Sequence, residues 1–343
     1  MPSEIVPLIL ISTWHFIWAS KVGMLDAALT FFVSLSIYLF ILGMKRKIYL
    51  LFSMLAFGLA FLTKGGGAFL IPIILLIYAI YEKKLGLIRE PALWAGLSIV
   101  LLVVGGWHLT AFLNYGKEFI ADSFIKHLFT RVARSVEGHE GTLLTYFKAI
   151  SNKGRPWGVA AFFIIPIALW QLFAKKENAP KIALPAIWAI TAMVVFSLIR
   201  TKLHWYIIPI YPAVSILTGW GADRILNKRT VPVILICALI SLVYLTVEKK
   251  IFSLDYGHET KELAVSFKEK INPQKIYIYD DDPSIRFYFW DEGVNVFSSL
   301  RPEDLSKEKN RYIVLSNKTL NKLDRSKFSV IRQSTDFAVV KVD

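Results

Sequence analysis

The densest chemistry in this 343-residue chain sits in seven consecutive residues, Arg200-Thr201-Lys202-Leu203-His204-Trp205-Tyr206, between two apolar runs. Two cations, an imidazole and a phenol at that spacing would suit a phosphate group held at the depth of lipid headgroups, bound by charge-assisted hydrogen bonds. Trp, Tyr, Lys and Arg also favour that depth as a plain interfacial belt, so the residue types leave both readings open. Pro209 and Pro212 then interrupt the next apolar run. Membrane helices tolerate such breaks where a neighbour or a cavity satisfies the freed backbone.

Lys64 is the second candidate, in Thr63-Lys64-Gly65-Gly66-Gly67. Glycines let backbone N–H groups approach an anion closely, and the ammonium adds charge; a turn carrying a snorkelling lysine is the alternative. A nucleotide P-loop is excluded, because the Gly-x-x-x-x-Gly-Lys-Ser/Thr spacing is absent. The segment 114–156 is longer than an ordinary connection and holds His127, Arg131, Arg134 and Glu137-Gly138-His139-Glu140-Gly141. Glu137 and His139 could do acid–base work, or permit a divalent metal without requiring one, and a solvated loop explains them equally. His15 and His108 fall within apolar runs and read as packed or cavity-facing. Asp280-Asp281-Asp282 reads as a solvated loop, since Pro283 follows and no His is near.

The elements that must position these residues are apolar. Ala, Val, Ile, Leu, Met, Phe, Trp, Tyr and Cys make up 55% of the chain, above the ~45–50% of a soluble domain, and mean hydropathy is +0.49. Apolar runs at 4–19, 26–43, 48–62, 67–81, 92–113, 157–173, 182–198, 203–221 and 231–247 predict a mainly α, polytopic membrane bundle of about nine spans. The lone Cys237 excludes an internal disulfide framework and a Cys-based zinc site, and reads as a small hydrophobe.

Charge is distributed unevenly. Residues 1–247 carry 23 Lys/Arg against 10 Asp/Glu, and 248–343 carry 17 against 16. The basic excess therefore lies in the apolar part, which argues against a nucleic-acid partner and for membrane orientation and anionic lipid. Compact basic connections at Lys45-Arg46-Lys47, at Lys83, Lys84 and Arg89, at Lys175, Lys176 and Lys181, and at Arg224, Lys228 and Arg229 favour a cytoplasmic side for that set. Asp26, Lys64, Glu137, His139, Arg200, Lys202, His204 and Tyr206 then all fall at the outer face. Met1-Pro2-Ser3-Glu4 leads directly into an apolar run, without the features of a signal peptide.

From 248 the composition is that of a soluble domain. An amphipathic helix is expected over 259–270, with strands at 276–279, 312–315, 328–331 and 337–342, the last two joined as a hairpin. The expected organisation is a membrane domain, 1–247, followed by a small extracytoplasmic α/β domain, 248–343.

Four stretches, in order, resemble the ArnT-like and protein O-mannosyltransferase superfamily, membrane glycosyltransferases of the C type (families 39 and 83). They are Lys21-Val-Gly-Met-Leu-Asp26-Ala-Ala-Leu-Thr-Phe-Phe, Gly58-Leu-Ala-Phe-Leu-Thr-Lys64-Gly, Val136-Glu137-Gly138-His139-Glu-Gly141 and Phe196-Ser-Leu-Ile-Arg200-Thr-Lys202-Leu-His204-Trp-Tyr206-Ile-Ile-Pro209-Ile-Tyr211-Pro212. Lys21 stands where the family usually has Arg, and Gly66 where it often has Pro. Family members begin with a further membrane helix and a long outer loop bearing an Asp-Glu pair, whose Asp is regarded as the catalytic base. This chain starts after that loop, so the resemblance carries the base onto no residue here and implies impaired transfer by the chain alone.

The resemblance implies the GT-C fold, location in the cell (inner) membrane, and sugar transfer from a polyprenyl-phosphate donor to a lipid, glycan or protein acceptor on the extracytoplasmic face. It places the donor phosphate on Lys64, Arg200, Lys202 and Tyr206, with Asp26, Glu137, His139 and His204 lining the substrate; it assigns no metal ligand. Two other classes are open, of which only the first uses the same cations. A transporter of a lipid-linked substrate would need access from both faces, and a non-catalytic membrane scaffold would need only a partner for its tail.

Overall fold

The structure, a computed structural model, describes residues 5–120, 141–142, 144–174, 179–247, 258–271, 275–279, 283–291, 295–297, 311–321, 328–334 and 337–342. It divides into two compact units, Met1–Ile251 and Phe252–Asp343.

The first unit is helical. Its α-helices are α1 Ile5–Ile11, α2 Trp14–Lys21, α3 Leu25–Gly43, α4 Ile48–Lys64, α5 Leu70–Tyr81, α6 Pro91–Ile120, α7 Thr145–Lys153, α8 Trp157–Phe173, α9 Ala179–Leu198, α10 Tyr211–Leu226 and α11 Thr230–Val247. Stretches long and apolar enough to cross a membrane are Leu25–Gly43, Ile48–Tyr81, Pro91–Phe119, Lys181–Leu198 and Thr230–Val247, and Trp157–Phe173 is a shorter apolar helix. Each of the nine apolar runs falls on helix, and the chain is a multi-pass membrane protein.

Two runs are less regular than their hydropathy predicts. The first, 4–19, is cut at Ser12-Thr13, where both hydroxyls turn back onto the preceding helix: Thr13 Oγ1 donates to the Ile9 carbonyl at 2.8 Å, and Ser12 Oγ to that of Leu8 at 2.5 Å. Such local side-chain bonds compete with helix continuation. The run 203–221 opens as a 3₁₀ segment, His204–Ile210, before α10; Pro209, which has no N–H to donate, lies inside it.

Burial follows helical periodicity. Helix α3 buries Asp26, Leu29, Thr30, Val33, Ser36, Ile37 and Phe40, a stripe at spacings of three and four. It packs into one core with Ile71 and Ile74 of α5, Ile182 and Ala186 of α9, and Ile207 and Ile208 of the 3₁₀ segment. The opposite faces present Phe31, Tyr38, Phe163, Leu235 and Leu239 outward. Large apolar side chains on the outside suit hydrocarbon as the surrounding solvent.

The second unit is α/β. A five-stranded sheet has the order β2-β1-β3-β5-β4, from β1 Lys275–Ile278, β2 Asn295–Phe297, β3 Tyr312–Ser316, β4 Phe328–Gln333 and β5 Phe337–Val342. Strand β1 runs parallel to β2 and β3, whereas β3–β5 and β4–β5 are antiparallel. Helices α12 His258–Ile271 and α13 Pro283–Asp291 cover one face through Phe267, Ile285 and Phe289 on Val314 and Val339. Ile313, Leu315 and Val340 pack with Leu320 and Phe328 on the other. The expected helix, strands and hairpin pairing are present; α13 and β2 are additions. The Asp280-Asp281-Asp282 run lies outside the described residues.

Candidate functional site

The site is built where α3 begins and α4 ends. A short connection makes the two helices antiparallel neighbours, and a pair of serines fixes their register. Ser36 Oγ donates to the Ser53 carbonyl and Ser53 Oγ to that of Ser36, each at 2.8 Å. Asp26 lies ten residues before Ser36 and Lys64 eleven after Ser53, so at 1.5 Å per residue both sit ~15 Å along the pair from the serines. Lys64 Nζ accordingly meets Asp26 Oδ2 at 2.5 Å. Asp26 is in the first turn of its helix and Lys64 in the last turn of its own, where each charge opposes the helix dipole favourably. The Asp26 side chain is 3% exposed and the Lys64 side chain 27%.

The 3₁₀ segment supplies the floor. Tyr206 is buried, and Lys64 Nζ lies 4.7 Å from its ring centroid. Phe196 bridges Tyr206 and Tyr146, with both ring centroids 6.4 Å from its own. Tyr146 in turn receives Lys202, whose Nζ is 5.5 Å from its ring centre. The Tyr146 hydroxyl is buried beside the Leu203 backbone. Burial, and then the neighbouring Tyr206, push its pKa above the ordinary phenol range.

Lys202 is held differently from Lys64. Its Nζ donates to the Phe196 carbonyl at 3.2 Å and the Ser197 carbonyl at 2.5 Å, so it caps the unpaired carbonyl end of α9. Burial lowers its pKa, and the neighbouring Arg200 adds to the effect. Arg200 itself is exposed. The Lys202 stem runs against Gly141, where a Cβ would lie 2.8 Å from Lys202 Cγ.

On the other flank of the same segment, His204 enters a chain absent from the sequence reading. Lys153 Nζ is 2.9 Å from His204 Nε2, His204 Nδ1 is 3.0 Å from His15 Nε2, and His15 Nδ1 is 2.8 Å from the Tyr211 hydroxyl. Lys153 also lies over the rings of Trp14 and Trp18, at 5.6 and 5.9 Å.

The eleven residues 201–211 thus serve two polar clusters, Asp26–Lys64–Tyr206 and Lys153–His204–His15–Tyr211. Lys64, Lys202, Tyr206, Asp26 and His204 are drawn to this segment, and Arg200 flanks it. Glu137 and His139, like His127, Arg131 and Arg134, lie outside the described residues. His108 is a packed residue, with Nδ1 2.8 Å from the Val104 carbonyl and its ring against Trp107. Among the described residues no group of three or more His, Cys, Asp or Glu could hold a metal ion.

The family model for dolichyl-phosphate-mannose-protein mannosyltransferase matches residues 5–108, which include Asp26 and Lys64. An uncharacterised protein of Aquifex aeolicus is 29% identical over 62% of this chain and 41% of its own. An undecaprenyl phosphate-alpha-4-amino-4-deoxy-L-arabinose arabinosyl transferase of Aeromonas hydrophila is 29% identical over 54% of this chain and 33% of its own. The chain therefore spans less than half the length of either relative. A crystal structure of ArnT from Cupriavidus metallidurans bound to undecaprenyl phosphate shares the fold, with a TM-score of 0.69 at 17% identity, over 98% of this chain and 78% of that one. Matched segment and relatives are similar to the ArnT-like and protein O-mannosyltransferase superfamily that the sequence motifs resemble, and the fold is the GT-C membrane helix bundle of ArnT.

Proposed function

We propose that this chain forms the donor-binding body of an integral-membrane glycosyltransferase that takes its sugar from a polyprenyl-phosphate carrier. The observation that carries the reading is the Asp26–Lys64 ion pair set over Tyr206, with Lys202 and Arg200 on the same connection. In the transfer, an acceptor oxygen bonds to the anomeric carbon, and any proton it carries passes to water or to the departing phosphate. The bond from that carbon to the phosphate oxygen breaks, and polyprenyl phosphate departs with the bonding pair. Negative charge grows on the departing phosphate through an oxocarbenium-like transition state, so cations placed in advance accelerate the step. Lys64 is fixed by Asp26 at one of its three donor positions, and an ammonium can be shared with a second oxyanion. The relative from Aeromonas hydrophila, named for undecaprenyl phosphate-4-amino-4-deoxy-L-arabinose, supports a bacterial polyprenyl carrier.

The pattern of basic connections supports an extracytoplasmic site, with the 248–343 domain on the same side and a lipid, glycan or protein as acceptor. The test is donor binding by the 343-residue chain in detergent, using undecaprenyl phosphate-4-amino-4-deoxy-L-arabinose. Saturable binding is expected, weakened roughly ten- to a hundredfold in Lys64→Ala by loss of a charge-assisted hydrogen bond of ~1.5–3 kcal/mol. Absence of saturable binding, or equal binding by that variant, would overturn the assignment.

A further inference from the structure

A cavity of about 560 Å³ opens beside the Lys153 end of the histidine chain. Its long wall is one stripe of α11, Cys237, Ile240, Ser241 and Tyr244, at the spacing of residues that share a helix face. Seven rises of 1.5 Å from Cys237 to Tyr244 make that wall ~10 Å long. The α7–α8 corner contributes two cations to the lining, Lys153 and Arg155, and α2 contributes Trp14. No carboxylate lines it, and neither cation makes an ion pair among the described residues.

The cationic corner is built rather than incidental. Lys153 is held by His204 and by the faces of two tryptophans. Burial pulls its pKa below the ordinary lysine value. Trp14 is placed by the break at Ser12: Trp157 Nε1 donates to Ser12 Oγ at 2.8 Å, and Ser241 Oγ to the Ser12 carbonyl at 2.6 Å. Exposed Arg155 adds a fork that matches a phosphate. Because α11 is a membrane-spanning stretch, a ligand reaching down its stripe lies with its tail in hydrocarbon.

We infer that this cavity is a second lipid site, separate from the Asp26–Lys64 cluster, for a membrane lipid with a phosphate monoester head bound by Lys153 and Arg155 and a tail along Cys237–Tyr244. It stands whether or not the proposed donor binding does. An isoprenoid phosphate and a diacyl phosphatidic acid share this chemistry.

Cys237, the chain's single cysteine, lines the cavity and is partly exposed, so its alkylation by N-ethylmaleimide reports occupancy. The experiment measures that rate on the full chain in detergent with farnesyl phosphate, dilauroyl phosphatidic acid, farnesol or inorganic phosphate. Either phosphate lipid should slow labelling several-fold, while farnesol and inorganic phosphate leave it nearly unchanged. Protection by only one of the two phosphate lipids supports the site and identifies its source. Arg155→Ala should raise the concentration needed for protection about tenfold, the loss of one charge-assisted hydrogen bond. Ile240→Trp, which fills the cavity, should abolish lipid-dependent protection. Lys64→Ala should leave it intact even if donor binding is lost. Equal protection by farnesol, no protection by either phosphate lipid, full protection in Arg155→Ala, or loss of protection in Lys64→Ala would each overturn the assignment.

Discussion

His204 and His15 meet ring to ring, Nδ1 to Nε2, at 3.0 Å, and the lysine behind them fixes which way their protons point. An ammonium can only donate, so Lys153 donates to His204 Nε2. His204 must then carry its proton on Nδ1 and donate to His15 Nε2. By the same step His15 carries its proton on Nδ1 and donates to the Tyr211 hydroxyl. Both rings are neutral, in the same tautomer. Nitrogen-15 NMR of histidine-labelled protein should therefore find two neutral Nδ1–H imidazoles coupled to one another. An imidazolium at either ring, or an Nε2–H tautomer at His204, would contradict this order. His204→Ala strands a buried acceptor on His15 and should lower stability by ~1–3 kcal/mol.

The Asp26–Lys64 pair separates folding from function. Asp26 is almost wholly buried, so Lys64→Ala leaves a carboxylate without its counter-charge, at a cost of about 3 kcal/mol, the low end for a broken buried pair because Lys64 is partly exposed. Replacing both, Asp26→Leu with Lys64→Met, removes the unpaired charge and should recover most of that stability. Donor binding should not recover. Thermal unfolding in detergent and donor titration on the three variants check this, and recovery of both quantities together would remove Lys64 from the phosphate.

The elements were readable from composition and run length. The run that becomes α3 is long and apolar throughout, and β3 and β5 are short β-rich apolar runs bounded by polar residues. Pairings across the chain were not readable. Lys153 looks like a loop cation until His204 and Trp14 are folded onto it, and neither partner is near it in sequence. Lys64 was legible as a cation beside glycines, but its Asp26 partner depends on the Ser36–Ser53 register. Helix α13 escaped notice because nine residues with Ile285 and Phe289 as its buried pair give too little periodicity.

Lys202 should prove structural as well as a cation of the donor site. Its ammonium ends α9 on two carbonyls, and Lys202→Met should lower stability by ~1 kcal/mol through loss of that cap. The pH dependence tests the same point. Burial, helped by Arg200, depresses its pKa below 10.5, so between the two values the unfolded chain binds more protons than the folded one. Stability from this group therefore rises with pH in that alkaline window. The wild-type advantage over Lys202→Met should widen there, and a narrowing advantage would contradict the burial argument.

Gly158 offers a test of how the α7–α8 corner holds both cations of the lipid cavity. A Cβ at Gly158 would lie 2.0 Å from the Ile150 carbonyl oxygen, and that oxygen already accepts from the Gly154 N–H at 2.8 Å. A backbone atom so tied cannot swing away, so Gly158→Ala must push α7 and α8 apart and displace Lys153 and Arg155 between them. The expected loss is ~1–3 kcal/mol, as for overpacking a core, with weaker lipid protection of Cys237. Gly105, inside α6, meets nothing within 4 Å. Gly105→Ala should instead be neutral or stabilise by up to ~1 kcal/mol, since alanine loses less entropy in a helix. Thermal unfolding of the two variants side by side decides the matter, and equal effects would show that the close approach at Ile150 does not constrain the corner.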